Sequence, residues 1–411
     1  MNHPSPAAVA SVIRSDTEAV EAGRRLARLF EADASRRDRE RRLPYAEIDA
    51  FTASGLWGIS VPRAFGGADL PLRAIVDVFD IVSAADPSLG QIPQNHFATL
   101  ERLRHDGTPS QQDFFFSRAL AGERFGNATA EPGDRLPSEH ETRVRRAGGK
   151  FLLSGRKVYS TGALFAHWIP VAARDDDGLP VTAFVARHAR GVEVIDDWSG
   201  FGQRTTASGQ VRLDDVELDG LQIVERGRRE GIDAANAVSQ LIHAAIDLGI
   251  GRGALDDTRR LLRTLAHPAR GSGVQQASAD PYTLRDIGAL TVDLHAAQAL
   301  SWRAADLIDA ARAVDASRAD VAAAIVATAE AKILTTRFAL DASSKLFELA
   351  GTQSTLEAHN LDRHWRNART HTLHDSVRWK YHAVGQYALN GLLCDPFTYA
   401  HPYSNLRSDA E

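Results

Sequence analysis

Cysteine and methionine are almost missing: the 411 residues hold one of each. The single thiol, Cys394, can close no intrachain disulfide and supports neither a cysteine-rich zinc site nor an iron–sulfur cluster, which fits a reducing compartment. No apolar stretch approaches the roughly 20 residues that cross a bilayer. Residues 1–10 carry no basic segment leading into an apolar run, so no secretory leader is read there. A cytoplasmic protein without a membrane partner is expected. A surplus of positive charge is absent too: Lys+Arg 48 against Asp+Glu 53 leaves −5, so no basic field points to nucleic acid. Lysine occurs only at Lys150, Lys157, Lys332, Lys345 and Lys380, and no function follows from that bias. No Gly-x-Gly-x-x-Gly loop marks a nicotinamide-binding fold.

What is present is an ordinary globular composition, 44% hydrophobic and 25% charged, long enough for two or three domains. From 17 to about 125 the pattern is helical. Val20, Leu26, Leu29 and Phe30 recur at helix spacing, as do Ile75, Val78, Phe79 and Val82. The charge run 36–42 reads as a solvated face. Near Gly126 the character changes. Segments 144–147 and 151–154 flank Gly148-Gly149 as a hairpin, and 168–173, 181–186, 192–195 and 209–213 follow as short strands. Helices then return. Residues 234–265 run without proline, Asp280-Pro281 is a capped helix start, 319–349 is alanine-rich, and a last helix spans roughly 370–393. The expected fold class is α+β, with an N-terminal α-helical domain (1–125), a central β-barrel-like domain (126–230) and a C-terminal four-helix bundle (231–411).

Two segments carry a family resemblance: 200–209, Gly-Phe-Gly-Gln-Arg-Thr-Thr-Ala-Ser-Gly, and 56–67, Leu-Trp-Gly-Ile-Ser-Val-Pro-Arg-Ala-Phe-Gly-Gly. With the element order, they resemble the acyl-CoA dehydrogenase superfamily over nearly the whole chain. Five more narrow it: 88–97 (Ser-Leu-Gly-Gln-Ile-Pro-Gln-Asn-His-Phe), 125–131, 159–163, 196–202, and the long, unusual 362–375 (Asp-Arg-His-Trp-Arg-Asn-Ala-Arg-Thr-His-Thr-Leu-His-Asp). These are similar to the reduced-flavin-dependent monooxygenase branch, which holds the dibenzothiophene monooxygenases and the sulfur-acquisition oxidoreductases of dimethyl sulfone use. The resemblance implies a homotetramer that receives FMN as FMNH2 from a separate NAD(P)H:flavin reductase. It also implies oxygen activation at flavin C4a as a hydroperoxide, and a small, organosulfur substrate. One alternative is an FAD-dependent dehydrogenase. The residue aligned with its glutamate base is Ala358, with Glu357 beside it, and 347–353 replaces its glycine-rich cofactor loop; FMN is favoured over FAD. The other is a non-catalytic flavin-binding relative.

His371 and His374, three apart near the start of the last helix, share a face. They read as structural histidines, as a metal pair with Asp375, or as a proton donor beside a flavin, for which imidazole suits because it titrates near neutrality. No metal is expected. Asn127 and Thr161, at strand ends, read as an Asx turn and a strand cap or as groups holding a flavin edge and its oxygen. Through the resemblance, Asn127, Ala128, Thr129 and Glu131 line the flavin, as do Lys157, Tyr159, Ser160 and Thr161. Trp198 packs beside it, with His371 and His374 at its reactive edge; Asn127, Thr161 and His374 are the catalytic candidates. Gln91, Asn95 and His96 fall on the substrate side; dibenzothiophene monooxygenases carry histidine and tyrosine at the first two positions, which implies a smaller, more polar substrate here. Relatives carry arginines at His267 and Gln353 that hold the flavin phosphate, which leaves Arg270 or Arg369 to compensate and Gln353 as a neutral contact.

Overall fold

The computed structural model describes residues 11–133, 139–227, 234–268, 270–313 and 316–393, so Cys394 lies outside it. Helix α1 (Asp16–Glu40) starts where the Ser15 hydroxyl accepts from Glu18 N, and it buries Ala22, Leu26 and Phe30. It is followed by α2 (Tyr45–Ala53), α3 (Leu72–Ala85), α4 (Pro87–Asp106) and α5 (Pro109–Leu120). Asp86 caps α4 by accepting from Ser88 N and Leu89 N, and Thr108 and Gln111 close a capping box on α5. The run 36–42 departs from expectation. Arg36 and Arg39 are exposed, but Arg37 is buried and pairs with Asp86 and Glu47 at 2.8 Å each. A guanidinium enters the core only where several acceptors meet it, and here it ties α1 to the α3–α4 corner.

The middle of the chain forms one seven-stranded sheet, from β1 (Arg143–Ala147) and β2 (Lys150–Lys157) through β3 (Trp168–Arg174), β4 (Pro180–Ala186), β5 (Val192–Ile195), β6 (Gln210–Leu218) and β7 (Ile223–Glu225). The order is β5-β6-β2-β1-β3-β4-β7; β1 and β3 run parallel and the other pairs antiparallel. Gly148 (φ 56°) and Gly149 (φ 84°) take the left-handed conformations that a tight two-residue hairpin needs. Strand β6 runs five residues past the expected end, and the short β7 had no sequence signal. Val144, Leu153, Ile169, Val171, Val185 and Val211 fill the core of the sheet.

Helices α6 (Ala235–Thr264), α7 (Pro281–Ala311) and α8 (Arg318–Ala350) form the bundle, with Asp280 capping α7 as read. The bundle shares one core with the N-terminal helices: Phe30, Phe79, Leu241, Ile246 and Ile325 belong to a single cluster. Helix α3 approaches α6 so closely that a Cβ at Gly253 would lie 2.4 Å from the Ala84 carbonyl oxygen. The expected helix over 370–393 is two helices. The first, α9 (Asp362–His371), stops at a turn, and α10 (Val377–Asn390) restarts beyond it. Thr372, His374, Asp375 and Ser376 fall in the break, a stretch whose short polar side chains compete with the helical backbone for hydrogen bonds. His371 therefore ends a helix and His374 sits in the turn.

Candidate active site

Segment 126–128 adds itself to the edge of β3. Gly126 N donates to Trp168 O and Ala128 N to Pro170 O. The alternation that follows buries the Ala128 side chain in the sheet core and turns Asn127 and Thr129 outward. Asn127 Nδ2 donates to Tyr159 O (3.4 Å), and its Oδ1 accepts from Thr129 Oγ1 (2.7 Å). Tyr159 adopts a left-handed φ of 53° and is exposed; Trp198 stands edge-on to it, ring centroids 6.3 Å apart. Trp198 Nε1 donates to Gln203 O, and this half-buried ring lies outside the sheet core. Thr161 Oγ1 and Ser208 Oγ share a hydrogen bond of 2.7 Å, which Thr206 extends.

Glu131 and Lys157 turn inward instead. The Glu131 carboxylate accepts from Glu141 N, Thr142 N, Thr142 Oγ1 and Lys157 Nζ. Burial opposes its ionisation, but the Thr142, Glu141 and Lys157 hydrogen bonds outweigh that and bring it down to about 2. Burial pushes the Lys157 ammonium down to about 8 against the pull of Glu131. These two charges are engaged with each other, and the Ala128 side chain lies in the sheet core.

The facing wall comes from the bundle. Asp257 of α6 takes Arg363 and His364, Asp38 of α1 takes Arg366, and Asn367 Oδ1 accepts from Gln203 N at 2.7 Å. Helix α9 is thus fixed from three sides, with the 200–205 turn docked on it. At its end, His371 Nδ1 meets Asp247 Oδ1 at 2.5 Å, and His371 Nε2 meets His243 Nδ1 at 3.2 Å. The His243 ring packs on the His374 ring at 3.9 Å and 32°, and His374 Nδ1 reaches Asp375 Oδ2 at 3.2 Å. Lys332 Nζ (2.7 Å) and Thr336 Oγ1 (2.9 Å) close the other oxygen of Asp247. Burial drives His243 well below the ordinary imidazole value, with its cationic neighbours acting the same way. Of the three imidazoles, only that of His374 is exposed. Among the described residues, no group of three or more His, Cys, Asp or Glu is arranged to hold a metal ion.

The remaining expectations separate. Gln91 is buried with its Oε1 unpartnered and Asn95 is half-buried; their helix touches the Thr161 loop, since a Cβ at Gly162 would lie 3.2 Å from Ile92 O. His96 is fully buried, Nε2 on Trp57 O (2.8 Å) and Nδ1 accepting from Phe125 N (3.2 Å), and burial pushes it down to about 3. Such a ring is a neutral bridge with nothing left for a substrate. Arg270 and Gln353 are exposed on the segments after α6 and α8, away from the histidine row. Arg369 donates to Thr372 Oγ1 and keeps a buried, unpartnered Nε. Sequence reasoning missed His243, Asp247, Lys332 and Gln203. The signal for the first three was polarity inside an apolar run: an imidazole and a carboxylate four apart within 241–250, and one of five lysines in an alanine-rich helix.

The buried side-chain atoms without partners among the described residues include Ser160 Oγ, both amide atoms of Gln203, Thr370 Oγ1, Gln91 Oε1 and Gln240 Oε1. Each unpaired atom costs about 1–3 kcal/mol, so a bound group bearing both donors and acceptors along its edge fits this set.

The fold and this cleft define a protein of the acyl-CoA dehydrogenase class. The model of the acyl-CoA dehydrogenase N-terminal domain matches residues 18–123 and that of the C-terminal domain residues 241–379. The chain is 31% identical over 395 residues to a dibenzothiophene monooxygenase of Rhodococcus qingshengii, covering 92% of this chain and 94% of that one. It is 32% identical over 378 residues to a probable FMNH2-dependent monooxygenase, SfnC, of Pseudomonas putida, covering 89% and 93%. The crystal structure of FMN-bound TdsC from Paenibacillus sp. A11-2 superposes with a TM-score of 0.86 at 27% identity, over 93% of this chain and 100% of that one. The chain belongs to the monooxygenase family of the dibenzothiophene monooxygenases, within the acyl-CoA dehydrogenase superfamily.

Proposed function

We propose that this chain is the oxygenase of a two-component system that takes FMNH2 from a separate NAD(P)H:flavin reductase and oxygenates a small organosulfur compound with O2. The observation that carries this reading is the row of imidazoles from buried His371 and His243 to exposed His374. The named activities of the relatives support it.

Asn127, Thr129, Ser160 and Thr161 would meet the edge of the flavin ring and Trp198 its face, with Arg369 or Arg270 at the phosphate, where a cation is needed. When bound, reduced FMN supplies the two electrons that activate O2 for transfer of one oxygen atom, the other leaving as water. The protein's part is to order protons and exclude solvent. The Asp375 carboxylate fixes His374 through Nδ1, which leaves Nε2 to hold or deliver a proton over the cleft. Gln91 and Asn95 offer neutral amides to a polar substrate and no charge to bind an acid. Slow exchange with water would protect the activated oxygen.

The exposed side chains of Tyr282, Val292, Trp379, Tyr381 and Leu389 on α7 and α10 support a homotetramer. The single cysteine supports a cytoplasmic setting. No helix among the described residues is long and apolar enough to cross a membrane. Division at 125/126 and 230/231 is proposed on the change from helix to sheet and back.

The test is to supply FMN, a flavin reductase and NADH under 18O2 with dimethyl sulfoxide, methanesulfinate and dibenzothiophene as trial substrates. Label in a product at rates above a control without the chain is expected. Purification with tightly held FAD, or oxidation of a thioester without oxygen incorporation, would overturn the reading.

A further inference from the structure

Three imidazoles, two carboxylates and a lysine meet where α6, α8 and α9 converge, yet one residue sets the charge of the whole group. Asp247 is fully buried and holds three donors: His371 Nδ1, Lys332 Nζ and Thr336 Oγ1. A carboxylate only accepts, so the Nδ1 of His371 carries its proton. In a neutral ring the Nε2 of His371 is then a lone pair, and His243 Nδ1, 3.2 Å away, must donate to it. Each tautomer follows from the one before, starting at Asp247. His243 is thereby left as a neutral ring packed under His374.

Lysine 332 decides whether the row stays neutral. A lone buried carboxylate against an imidazole draws a proton onto that ring, as an ion pair. Here the carboxylate is already cancelled by an ammonium 2.7 Å away, so a second cation would enter the interior uncompensated. Burial is the largest influence holding His371 below the ordinary imidazole value, and the Lys332 charge adds to it against Asp247. The geometry points to Lys332 as a positioning residue: by cancelling Asp247 it keeps His371 and His243 neutral and in fixed tautomers behind the exposed ring of His374. This inference rests on the proposed oxygenase reading for its purpose, although its physical content concerns the flavin-free protein alone.

The groups that face His374 come from every element around it. They are His243 on α6, His371 ending α9, Asp375 in its own turn, and Lys380 of α10, whose charge acts on Asp375; Asp247 and Lys332 stand behind His371. Replacing Lys332 with methionine changes only one of these charges directly. Asp247 is then uncancelled and His371 becomes an imidazolium, which places a positive charge one ring away from His374.

The test uses imidazole 15N NMR on the full-length chain without flavin, comparing the native protein with Lys332→Met and Lys332→Arg. In the native protein at pH 7, His371 and His243 are expected neutral with Nδ1 protonated. In Lys332→Met, His371 is expected doubly protonated; Lys332→Arg restores native behaviour by keeping the charge. Native His371 found cationic, or native His243 protonated on Nε2, overturns the inference even if Lys332→Met fails to fold. A His371 that stays neutral in folded Lys332→Met also overturns it. The NMR result stands or falls whether or not the chain proves to be an oxygenase, so the two failures are distinguishable.

Discussion

His96 offers a quantitative test of the boundary between structure and site. Its ring bridges the Trp57 carbonyl and the Phe125 amide from a fully buried position, and burial pushes its titration down to about 3. In the unfolded chain a histidine titrates near 6.5. Between those values the unfolded chain binds a proton that the folded one refuses, so stability falls as pH drops through this window and is fully present above it. Two pH units below 6.5, at about 1.4 kcal/mol per unit, remove about 3 kcal/mol by pH 4.5. His96→Gln keeps one donor and one acceptor and cannot titrate, so this loss is absent from it. Urea unfolding at pH 7.5 and 4.5, followed by circular dichroism, measures the difference. Other acid-sensitive groups, His167 and Glu131 among them, are common to both proteins and cancel. The native protein is expected to lose about 3 kcal/mol more than the variant over this interval. Equal losses would refute both the neutral bridge and the separation of His96 from the substrate, as would abolished turnover in a folded His96→Gln protein.

Three further outcomes follow from the packing and the cleft. Arg37→Met leaves Asp86 without its cation and Glu47 with only Arg42, and is expected to cost about 3–5 kcal/mol in denaturant melts at neutral pH; a loss under 1 kcal/mol would make the pair incidental. Gly253→Val forces a side chain against the Ala84 carbonyl oxygen, so α3 must move off α6, and a loss of about 1–3 kcal/mol is expected from the same melts. Trp198→Ala removes a half-exposed ring that no core depends on. Flavin fluorescence titration is expected to show about tenfold weaker FMN binding, equivalent to about 1.4 kcal/mol, with thermal stability nearly unchanged; a collapse of stability with it would make Trp198 a structural residue.

Local signals were legible and distant ones were not. Gly148-Gly149 announced its hairpin and Asp280-Pro281 its helix start because turn and cap chemistry act within a few residues. The boundaries of α6 and α8 followed from uninterrupted helix formers. Arg37 could not be read the same way. Its carboxylate partner Asp86 lies 49 residues on, and a lone arginine in a charged run has no local mark of burial. The break between α9 and α10 was hidden for a related reason: the buried partners of His371 and the ring contact of His374 lie on α6.

The site divides along the same line. Asn127, Thr161, Trp198, His371 and His374 stood out through family segments, whereas Asp247 and Lys332 belong to no motif and lie 85 residues apart. What they had instead was cost. A carboxylate and an ammonium inside apolar helices must each lose several kcal/mol of hydration, which an apolar pair of similar volume avoids. Stability alone therefore does not account for the pair, and its one connection toward the cleft runs through His371. Charged residues inside the apolar face of a long helix are thus the most informative letters of this sequence. They contradict their surroundings, and only a demand from elsewhere in the fold, here the protonation of the histidine row, gives them a reason to be there.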